Sequence, residues 1–204
     1  MKNFLYTIIL GLLVSTSSSA QNKGDIEMGG AIGYNYSTVS SGYISAESSS
    51  GFNAGLSADY YFSDTWSIKG KLIYDQKGWD NGFFEDEFGS YSADYSLNYL
   101  TIPVMANWHF GHKNNWYLNF GPYIGFLINA EESAKNTDVT NYFNATDFGL
   151  AYGVGVKIPV STKLKIYLEY DAQGGFLDVF KNDDSNLVLG SRGAFNVGLN
   201  FLMK

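Results

Sequence analysis

One stretch of this chain, from Trp116 to Ala130, alternates in character over fifteen consecutive residues. Bulky apolar residues and one proline occupy every second position: Trp116, Leu118, Phe120, Pro122, Ile124, Phe126 and Ile128. The positions between them carry mostly glycine, asparagine and tyrosine. Because successive side chains of a β-strand leave opposite faces, this period of two predicts a strand with one apolar face. A tilted strand needs roughly 9–11 residues to cross a bilayer, so this stretch is long enough to span a membrane.

Seven further segments alternate in the same way. They lie at 26–36, 52–62, 66–75, 99–110, 148–158, 164–171 and 194–201. The short connections between segments are 63–65, 111–115 and 159–163. The long connections lie near 38–50, 79–94, 131–146 and 175–191. This asymmetry is typical of outer-membrane barrels, whose periplasmic turns are short. The sequence therefore predicts an all-β fold, an eight-stranded antiparallel up-and-down transmembrane β-barrel.

The polar face of these segments carries charges of both signs, whereas the apolar face carries almost none. The charged residues on the polar face are Glu27, Asp59, Lys69, Lys71, Asp75, Lys77, Lys157, Lys165, Glu169 and Asp171. A soluble barrel would alternate as well, but eight strands enclose a space just wide enough for side chains. Glycines, alanines and paired charges fit that space, and the large apolar residues do not. We therefore expect the apolar face to contact lipid and the charged face to line the lumen.

The equal numbers of acidic and basic residues on the polar face leave two interpretations open. One is a path for ions, and the other is a network that neutralises itself and fills the lumen. An isolated buried charge costs several kcal/mol or more, so buried charges in a narrow barrel must be paired. The narrow width favours the closed network over a conducting pore.

Three tryptophans, Trp66, Trp108 and Trp116, all flank short connections. They are therefore expected at one height in the membrane. Tryptophan is enriched at membrane–water interfaces, so the three predict an aromatic girdle at the short-turn end of the barrel.

The first twenty residues have the composition of a secretory signal peptide. Lys2 precedes an apolar run at 4–14, and the small residues Ser18 and Ala20 precede an expected cut before Gln21. The run is shorter than the ~20 residues that a transmembrane helix needs. We expect residues 1–20 to be a signal peptide and residues 21–204 to form the barrel domain in a Gram-negative outer membrane.

The composition excludes several classes of function. The chain has no cysteine, which excludes a thiol nucleophile and a disulfide scaffold, and its formal charge of −7 argues against a nucleic-acid partner. The two histidines, His109 and His112, lie at a short turn, away from the long connections. A catalytic group acts only with its partner groups within reach, and the long connections supply no histidine. We therefore expect no enzyme activity, no metal site and no cofactor.

Residues 99–125 resemble a known family. The segments Tyr99-Leu100-Thr101-Ile102-Pro103 and Gly121-Pro122-Tyr123-Ile124-Gly125 are similar to neighbouring strands of the PorT-like outer-membrane β-barrel proteins. The resemblance implies an outer-membrane barrel of a family mostly without an assigned role. The family's namesake is associated with type IX protein secretion.

The long connection at 79–94 is both acidic and aromatic. Its acids are Asp80, Glu85, Asp86, Glu87 and Asp94, with no base among them. Its aromatic residues are Trp79, Phe83, Phe84, Phe88 and Tyr91. Solvated charges that repel one another explain the acids most simply, although carboxylates are also the ligands that Ca²⁺ prefers. Aromatic residues in a loop favour contacts with a protein or a glycan, because exposed apolar patches tend to mark binding surfaces.

These features predict a non-enzymatic outer-membrane barrel with a structural or cell-surface interaction role. Its expected partners are outer-membrane lipid and proteins or glycans that reach the extracellular loops, and the barrel itself is expected to be monomeric. Two alternatives stay open. One is a component of a protein secretion or assembly machine, and the other is a narrow pore for small solutes or hydrophobic molecules.

Two strand prolines are expected to meet. If 111–115 joins neighbouring strands, Pro103 lies opposite Tyr123 and Pro122 lies opposite Val104. Proline cannot donate a ladder hydrogen bond, and a closed barrel has no free edge to accommodate it. The pairing therefore predicts a local gap or bulge between these strands.

Overall fold

An antiparallel β-sheet that closes on itself makes up most of the protein in the computed structural model. The structure describes residues 21–40, 46–86, 89–181 and 187–203. The signal peptide expected at 1–20 lies outside these residues and stays a prediction. Within the described part of the chain, no helix is long and apolar enough to cross a membrane.

Eight long strands and one short strand form the sheet. They are β1 (Ile26–Ser40), β2 (Glu47–Tyr61), β3 (Trp66–Asp86), β4 (Gly89–Phe110), β5 (Trp116–Glu132), β6 (Thr137–Asp138), β7 (Thr146–Pro159), β8 (Leu164–Asp178) and β9 (Leu189–Leu202). The long strands pair in the order β4-β3-β2-β1-β9-β8-β7-β5, and β4 pairs with β5 to close the ring. β6 adds a two-residue hairpin to the end of β5, followed by a 3-10 turn at Thr140–Tyr142. The predicted eight-stranded antiparallel barrel is confirmed.

The two faces expected from the alternation are the two sides of the barrel wall. Large apolar side chains on the outside stay exposed, for example Ile32 at 65%, Leu56 at 67% and Phe195 at 62%. The residues between them turn inward and are mostly buried. Every strand is paired on both sides within this band, so no backbone edge is presented to hydrocarbon. A wall of this kind suits lipid outside and polar side chains inside.

Three short turns and both ends of the barrel chain lie at one end. The turns occupy residues 62–65, 111–115 and 160–163. Gly111 has a φ of 89° and Asn114 a φ of 51°, in the left-handed region that these two residue types adopt most readily. In outer-membrane barrels the short turns face the periplasm, so we call this the periplasmic end and its opposite the extracellular end.

The connection expected as a loop at 79–94 is mostly strand, so that prediction is wrong. β3 continues to Asp86, β4 begins at Gly89, and the two strands pair from Gly82↔Ala93 to Asp86↔Gly89. The alternation that marks a wall strand is lost here because neither face has to contact lipid above the apolar band. Backbone pairing continues without that pattern.

The two strand prolines interrupt the β4–β5 ladder. Pro103 lies opposite Tyr123, but the next two positions on each strand, 104–105 and 121–122, form no ladder pair. Pairing resumes at Ala106 with an unchanged register. The predicted interruption is therefore confirmed as a gap and not as a bulge.

Gly121 lies beside this gap and has no room for a side chain. A Cβ there would lie 2.2 Å from the carbonyl oxygen of Val104 and 2.8 Å from the Cα of Met105. We predict that Gly121→Ala lowers the free energy of unfolding by about 2–3 kcal/mol, because backbone would have to move. Gly70→Ala is the matched control, since nothing lies within 4 Å of a Cβ at that position. Denaturant unfolding in liposomes measures both variants, and equal midpoints would contradict the prediction.

Candidate functional site

The lumen of the barrel is filled by a network of charged side chains. All ten charged residues expected there turn inward; nine of them are buried, and Lys77 is half-buried. Asp147 on β7 and Arg192 on β9 join the network, although sequence reasoning missed both. Asp147 lies two residues before Gly149, and Arg192 lies two residues before Ala194, so both fall on the polar face if the alternation of their strands is continued. Continuing the alternation would have identified them. With these two, the lumen network of the described residues has six acids and six bases.

Glu27 organises the cluster at the periplasmic end. The Nζ of Lys157 lies 2.6 Å from the Oε2 of Glu27, and Lys165 pairs with the same carboxylate. Lys157 also donates to Asp59 at 3.2 Å and to the hydroxyl of Tyr61 at 2.7 Å. These contacts connect β1, β2, β7 and β8 across the lumen.

Glu169 forms the centre of the network. It pairs with Lys71, whose Nζ also lies 3.1 Å from Asp171. Glu169 accepts further hydrogen bonds from the hydroxyl of Tyr117 at 2.9 Å and from the amide of Asn119 at 3.1 Å. The buried carboxylate therefore has three partners besides Lys69, which lies 3.5 Å away.

Arg192 extends the network toward the extracellular end. It pairs with Asp171, and its Nε lies 3.0 Å from the Oδ1 of Asp75. Asp75 also accepts hydrogen bonds from Asn35 at 2.8 Å and from Gln173 at 3.3 Å. Because Asp171 also belongs to the central cluster, the ion pairs from Glu169 to Asp75 form one continuous chain, which we call the ion-pair chain. The Glu27 cluster and the pair of Lys77 with Asp147 are separate parts of the lumen network.

Lys69 is held by aromatic rings as well as by charge. It is fully buried, and its Nζ has no hydrogen-bond partner among the described residues. The Nζ lies 4.6 Å from the ring centroid of Tyr117 and 5.3 Å from that of Tyr167. Cation–π attraction strengthens when the cation is desolvated, so the rings stabilise this ammonium group and fill the lumen at the same time.

The two histidines lie in different surroundings. His109 is part of β4 and faces the lumen, where it is fully buried, with its Nε2 3.0 Å from the Oγ of Ser67. His112 is exposed in the turn at 111–115. The polar-face position of His109 in the segment 99–110 is confirmed, because β4 continues to Phe110, whereas its description as a turn residue is wrong. In the described part of the chain, no three histidine, aspartate or glutamate side chains are grouped to hold a metal ion.

An apolar cluster closes the lumen at the extracellular end. Its buried members are Val39, Trp79, Ala93, Tyr95, Leu97, Tyr99, Ala130, Val139, Phe143 and Val188. Trp79 stacks on Tyr95 with ring centroids 4.8 Å apart and meets the edges of Phe143 and Phe180 at 5.9 and 5.8 Å. Sequence reasoning missed this cluster because several members come from segments expected to be loops. No local pattern links them.

A small pocket of about 30 Å³ lies between the ion-pair chain and the apolar cluster. Trp79, Leu97 and other apolar residues line one side, and the ion pair of Lys77 and Asp147, 3.0 Å apart, lines the other. Lys77 also lies over the ring of Tyr99, with 5.0 Å between its Nζ and the centroid. The pocket therefore combines apolar walls with one half-buried pair of charges.

β8 departs from regular pairing beside this pocket. The β8–β9 ladder shifts register between Gly174 and Asp178, so that residues 175–177 have no ladder partner on β9. Phe176 and Leu177 in this bulge are exposed to 54% and 41%. Leu177 also lines the pocket. The bulge therefore brings the pocket next to an irregular part of the barrel wall.

The extracellular end of β5 is fixed by a carboxylate. Glu132 accepts hydrogen bonds from the backbone N–H groups of Ala134 at 2.6 Å, Lys135 at 3.0 Å and Thr137 at 3.1 Å. Burial raises the pKa of Glu132, but these hydrogen bonds outweigh it and lower the pKa below its usual value. The turn between β5 and β6 is therefore held by its own side chain.

The three expected girdle tryptophans lie on the outside of the wall at the periplasmic end. Trp66 is paired with Trp108, and their ring centroids are 6.3 Å apart. Trp116 is paired with Phe110, whose ring lies 5.0 Å from that of Trp108. The four rings form a continuous aromatic band across β3, β4 and β5.

A closed ring of eight long strands, apolar outside and charged inside, defines a small transmembrane β-barrel. The chain belongs to the family described as outer membrane protein beta-barrel domain, whose model matches residues 18–181. No curated protein matches the chain. The protein is thus an outer-membrane β-barrel.

Solved structures of outer-membrane proteins are similar to this barrel. OprG from Pseudomonas aeruginosa has a TM-score of 0.58 at 12% identity, over 92% of this chain and 99% of OprG. Neisserial surface protein A has a TM-score of 0.52 at 18% identity, over 85% of this chain and 96% of that protein. At these identities the likeness shows the fold alone.

The central cluster can be tested by removing one cation. Lys71→Met leaves Glu169 and Asp171 each short of a partner, so we predict a loss of about 3–5 kcal/mol in the free energy of unfolding. Lys113→Met, at an exposed turn position, is the control and should leave stability unchanged. Denaturant unfolding of both variants in liposomes gives the comparison. An unchanged midpoint for Lys71→Met would show that the lumen is hydrated.

Proposed function

We propose that this chain is a monomeric, non-enzymatic outer-membrane barrel that does not conduct ions and acts at the cell surface in a structural or interaction role. The observation that carries the proposal is the double closure of the lumen. The lumen network fills its membrane section, and the apolar cluster covers its extracellular end.

Energetics support the closed lumen. An ion that crossed it would have to separate buried pairs such as Lys157 with Glu27, and breaking a buried pair costs about 3–5 kcal/mol. It would also have to separate the stacked rings of Trp79 and Tyr95. The same closure keeps substrates from His109, which is fully buried, and this supports the absence of enzyme activity.

The extracellular rim supports a role in surface contacts. Glu47, Asp94, Glu131 and Asp138 are all exposed there, so the rim presents a strongly acidic surface. Paired strands of the β3–β4 and β5–β6 hairpins carry part of this surface. We propose that proteins or glycans outside the cell contact the rim, while the wall contacts outer-membrane lipid.

Conductance tests the closed lumen. We predict no discrete current steps from the wild-type barrel in planar bilayers, with a general porin as the positive control. Trp79→Ala combined with Phe143→Ala removes the cover but leaves the ion-pair chain, so it should stay silent too. Steps from the wild-type protein would overturn the proposal. Steps from the double variant alone would show that the apolar cluster is the true barrier.

We propose that residues 1–20 are cleaved as a signal peptide, which sequencing of the purified protein's N-terminus tests.

The PorT-like resemblance at Tyr99–Pro103 and Gly121–Gly125 supports membership of that group and, with it, the alternative of a secretion component. Stable partners recovered after mild detergent extraction would favour that alternative over an independent barrel.

The irregular wall beside the pocket favours a second candidate, a side-entry site for small apolar molecules. Residues 175–177 of β8 leave the β8–β9 ladder, and Leu177 lines both this bulge and the pocket. An alkyl chain entering from the outer leaflet would reach apolar walls without crossing the ion-pair chain, but the pocket of about 30 Å³ would have to widen to admit it.

Trp79 lines the pocket and provides the test. Replacing Trp66, Trp108 and Trp116 by Phe leaves Trp79 as the only tryptophan. If small apolar molecules enter, bromo-octanol should quench Trp79 fluorescence in nanodiscs.

Filling the pocket should then protect Trp79. A Cβ at Gly190 would have only one neighbour, Val179 at 3.6 Å, which is an ordinary contact distance. Gly190→Ala therefore adds a methyl group at the pocket without a clash and should reduce the quenching. Gly70→Ala, on the outside of β3, is the matched control. Equal quenching in both variants would rule out entry through the pocket.

A further inference from the structure

Three lysines surround the periplasmic end of the barrel. Lys23 lies in the segment before β1, Lys113 in the turn between β4 and β5, and Lys163 in the turn between β7 and β8. All three are exposed. We call them the periplasmic lysines, and they differ in position from the lumen lysines, which turn inward.

Each periplasmic lysine lies close to an exposed apolar side chain. The N–H of Lys23 donates to Asp64 at 3.1 Å, which places it beside the turn that begins at Phe62, and Phe62 is 43% exposed. The turn of Lys113 leads into Trp116, which is 48% exposed, and the turn of Lys163 begins at Val160, which is 46% exposed. At a membrane surface, a lysine stem lies along apolar groups while its ammonium group reaches the head groups. The three ammonium groups are therefore at head-group depth.

Hydrogen bonds hold these segments to their neighbours. The side-chain amide of Asn114 donates to the carbonyl of Asp64 at 3.2 Å, which joins the turn of Lys113 to the turn beside Lys23. The N–H of Leu202 donates to the carbonyl of Lys163 at 2.8 Å, which joins the third turn to β9. The backbone that carries the periplasmic lysines is thus fixed in place.

The two ends of the barrel differ in the sign of their surface charge. At the periplasmic end, the carboxylates of Asp25 and Asp64 accept backbone N–H groups, from Asn22 at 2.9 Å and from Lys23 at 3.1 Å. These hydrogen bonds occupy the acids, whereas the lysine side chains extend into solvent. The extracellular rim instead exposes Glu47, Asp94, Glu131 and Asp138. An anionic surface is therefore attracted to one end of the barrel and repelled by the other.

The spacing of the lysines around the ring distinguishes a membrane from a soluble partner. The β2–β3, β4–β5 and β7–β8 turns lie at separate places in the closed strand order, so the three charges surround the barrel. A soluble acidic protein would cover the mouth of the barrel and would meet one side of this ring at a time. A bilayer surrounds the whole perimeter and meets all three charges at once.

We propose that Lys23, Lys113 and Lys163 bind the phosphate groups of acidic phospholipid head groups in the adjoining leaflet of the membrane. This inference rests on the proposed contact between the wall and outer-membrane lipid, and it names the class of lipid. Each lysine near an anionic membrane surface is expected to raise the ratio of folded to unfolded protein by about fivefold.

The test measures denaturant unfolding of the whole barrel in two kinds of liposome, phosphatidylcholine alone and phosphatidylcholine mixed with phosphatidylglycerol. Phosphatidylglycerol should raise the folded-to-unfolded ratio of the wild type more than that of the triple variant Lys23→Gln, Lys113→Gln and Lys163→Gln, by on the order of a hundredfold. In phosphatidylcholine alone the two proteins should unfold alike, which shows that the variant folds. Exposed charges are screened within about 3 Å at 1 M salt, so the difference should disappear there.

Single variants locate the effect. Lys113→Gln should lose about fivefold of the gain from phosphatidylglycerol. Lys113→Arg keeps the charge and should retain the gain. Lys181→Gln, at an exposed position of the extracellular end, is the matched control and should also retain it. Inorganic phosphate added to phosphatidylcholine liposomes should have no effect beyond that of chloride at equal ionic strength.

Four outcomes would overturn the inference: an equal gain from phosphatidylglycerol in the wild type and the triple variant, an equal loss in Lys113→Gln and Lys181→Gln, a gain that persists at high salt, or a gain that inorganic phosphate reproduces. Conductance is measured separately. A silent barrel that fails this test refutes the lipid-binding lysines alone, whereas a conducting barrel refutes the proposed function.

Discussion

The pairing of buried charges is the constraint on which the rest of this barrel depends. Eight strands leave a lumen too narrow for bulk water to solvate twelve charged groups, so each ion must find its partner across the barrel. Lys157 draws β1, β2 and β7 together through Glu27 and Asp59, and Arg192 connects β3, β8 and β9 through Asp75 and Asp171. These contacts fix the strand register from inside, because a one-residue slip would turn the ions toward lipid.

Tyrosine and glycine cooperate in the same lumen. Tyr117 is paired with Gly155 and Tyr167 with Gly198, and in both pairs a Cβ on the glycine would lie within 2.5 Å of the tyrosine ring. Each ring therefore covers a neighbouring strand at a position without a side chain, as aromatic residues do over glycines in other sheets. The packing of tyrosine rings over glycines accounts for part of the chain's content of 16 tyrosines and 23 glycines. This packing leaves the lumen little space that the ion pairs do not fill.

The sequence predicted what depends on the period of two and missed what depends on distant segments. The eight wall strands, the two faces and the Pro103–Tyr123 register follow from alternation and turn length. Arg192 and Asp147 were missed because alternation was followed only through the apolar band and not into the flanking residues. The apolar cluster was beyond reach for a different reason. Trp79, Phe143 and Phe180 come from three separate connections, and only the closed ring brings them into contact.

The lumen network lies within the barrel wall and ends below the extracellular rim, and this boundary bears on where the molecule works. Wall strands have two neighbours and a lumen of fixed ions, so a ligand that displaced them would lose several kcal/mol per broken pair. At the rim, Glu47, Asp94, Glu131 and Asp138 are exposed, and the chain between Lys77 and Lys113 has no lysine or arginine. Recognition concentrates where side chains are exposed and the scaffold beneath is rigid. A filled barrel thus anchors its extracellular rim, because the ion pairs that close the lumen also hold β3 in place below the rim.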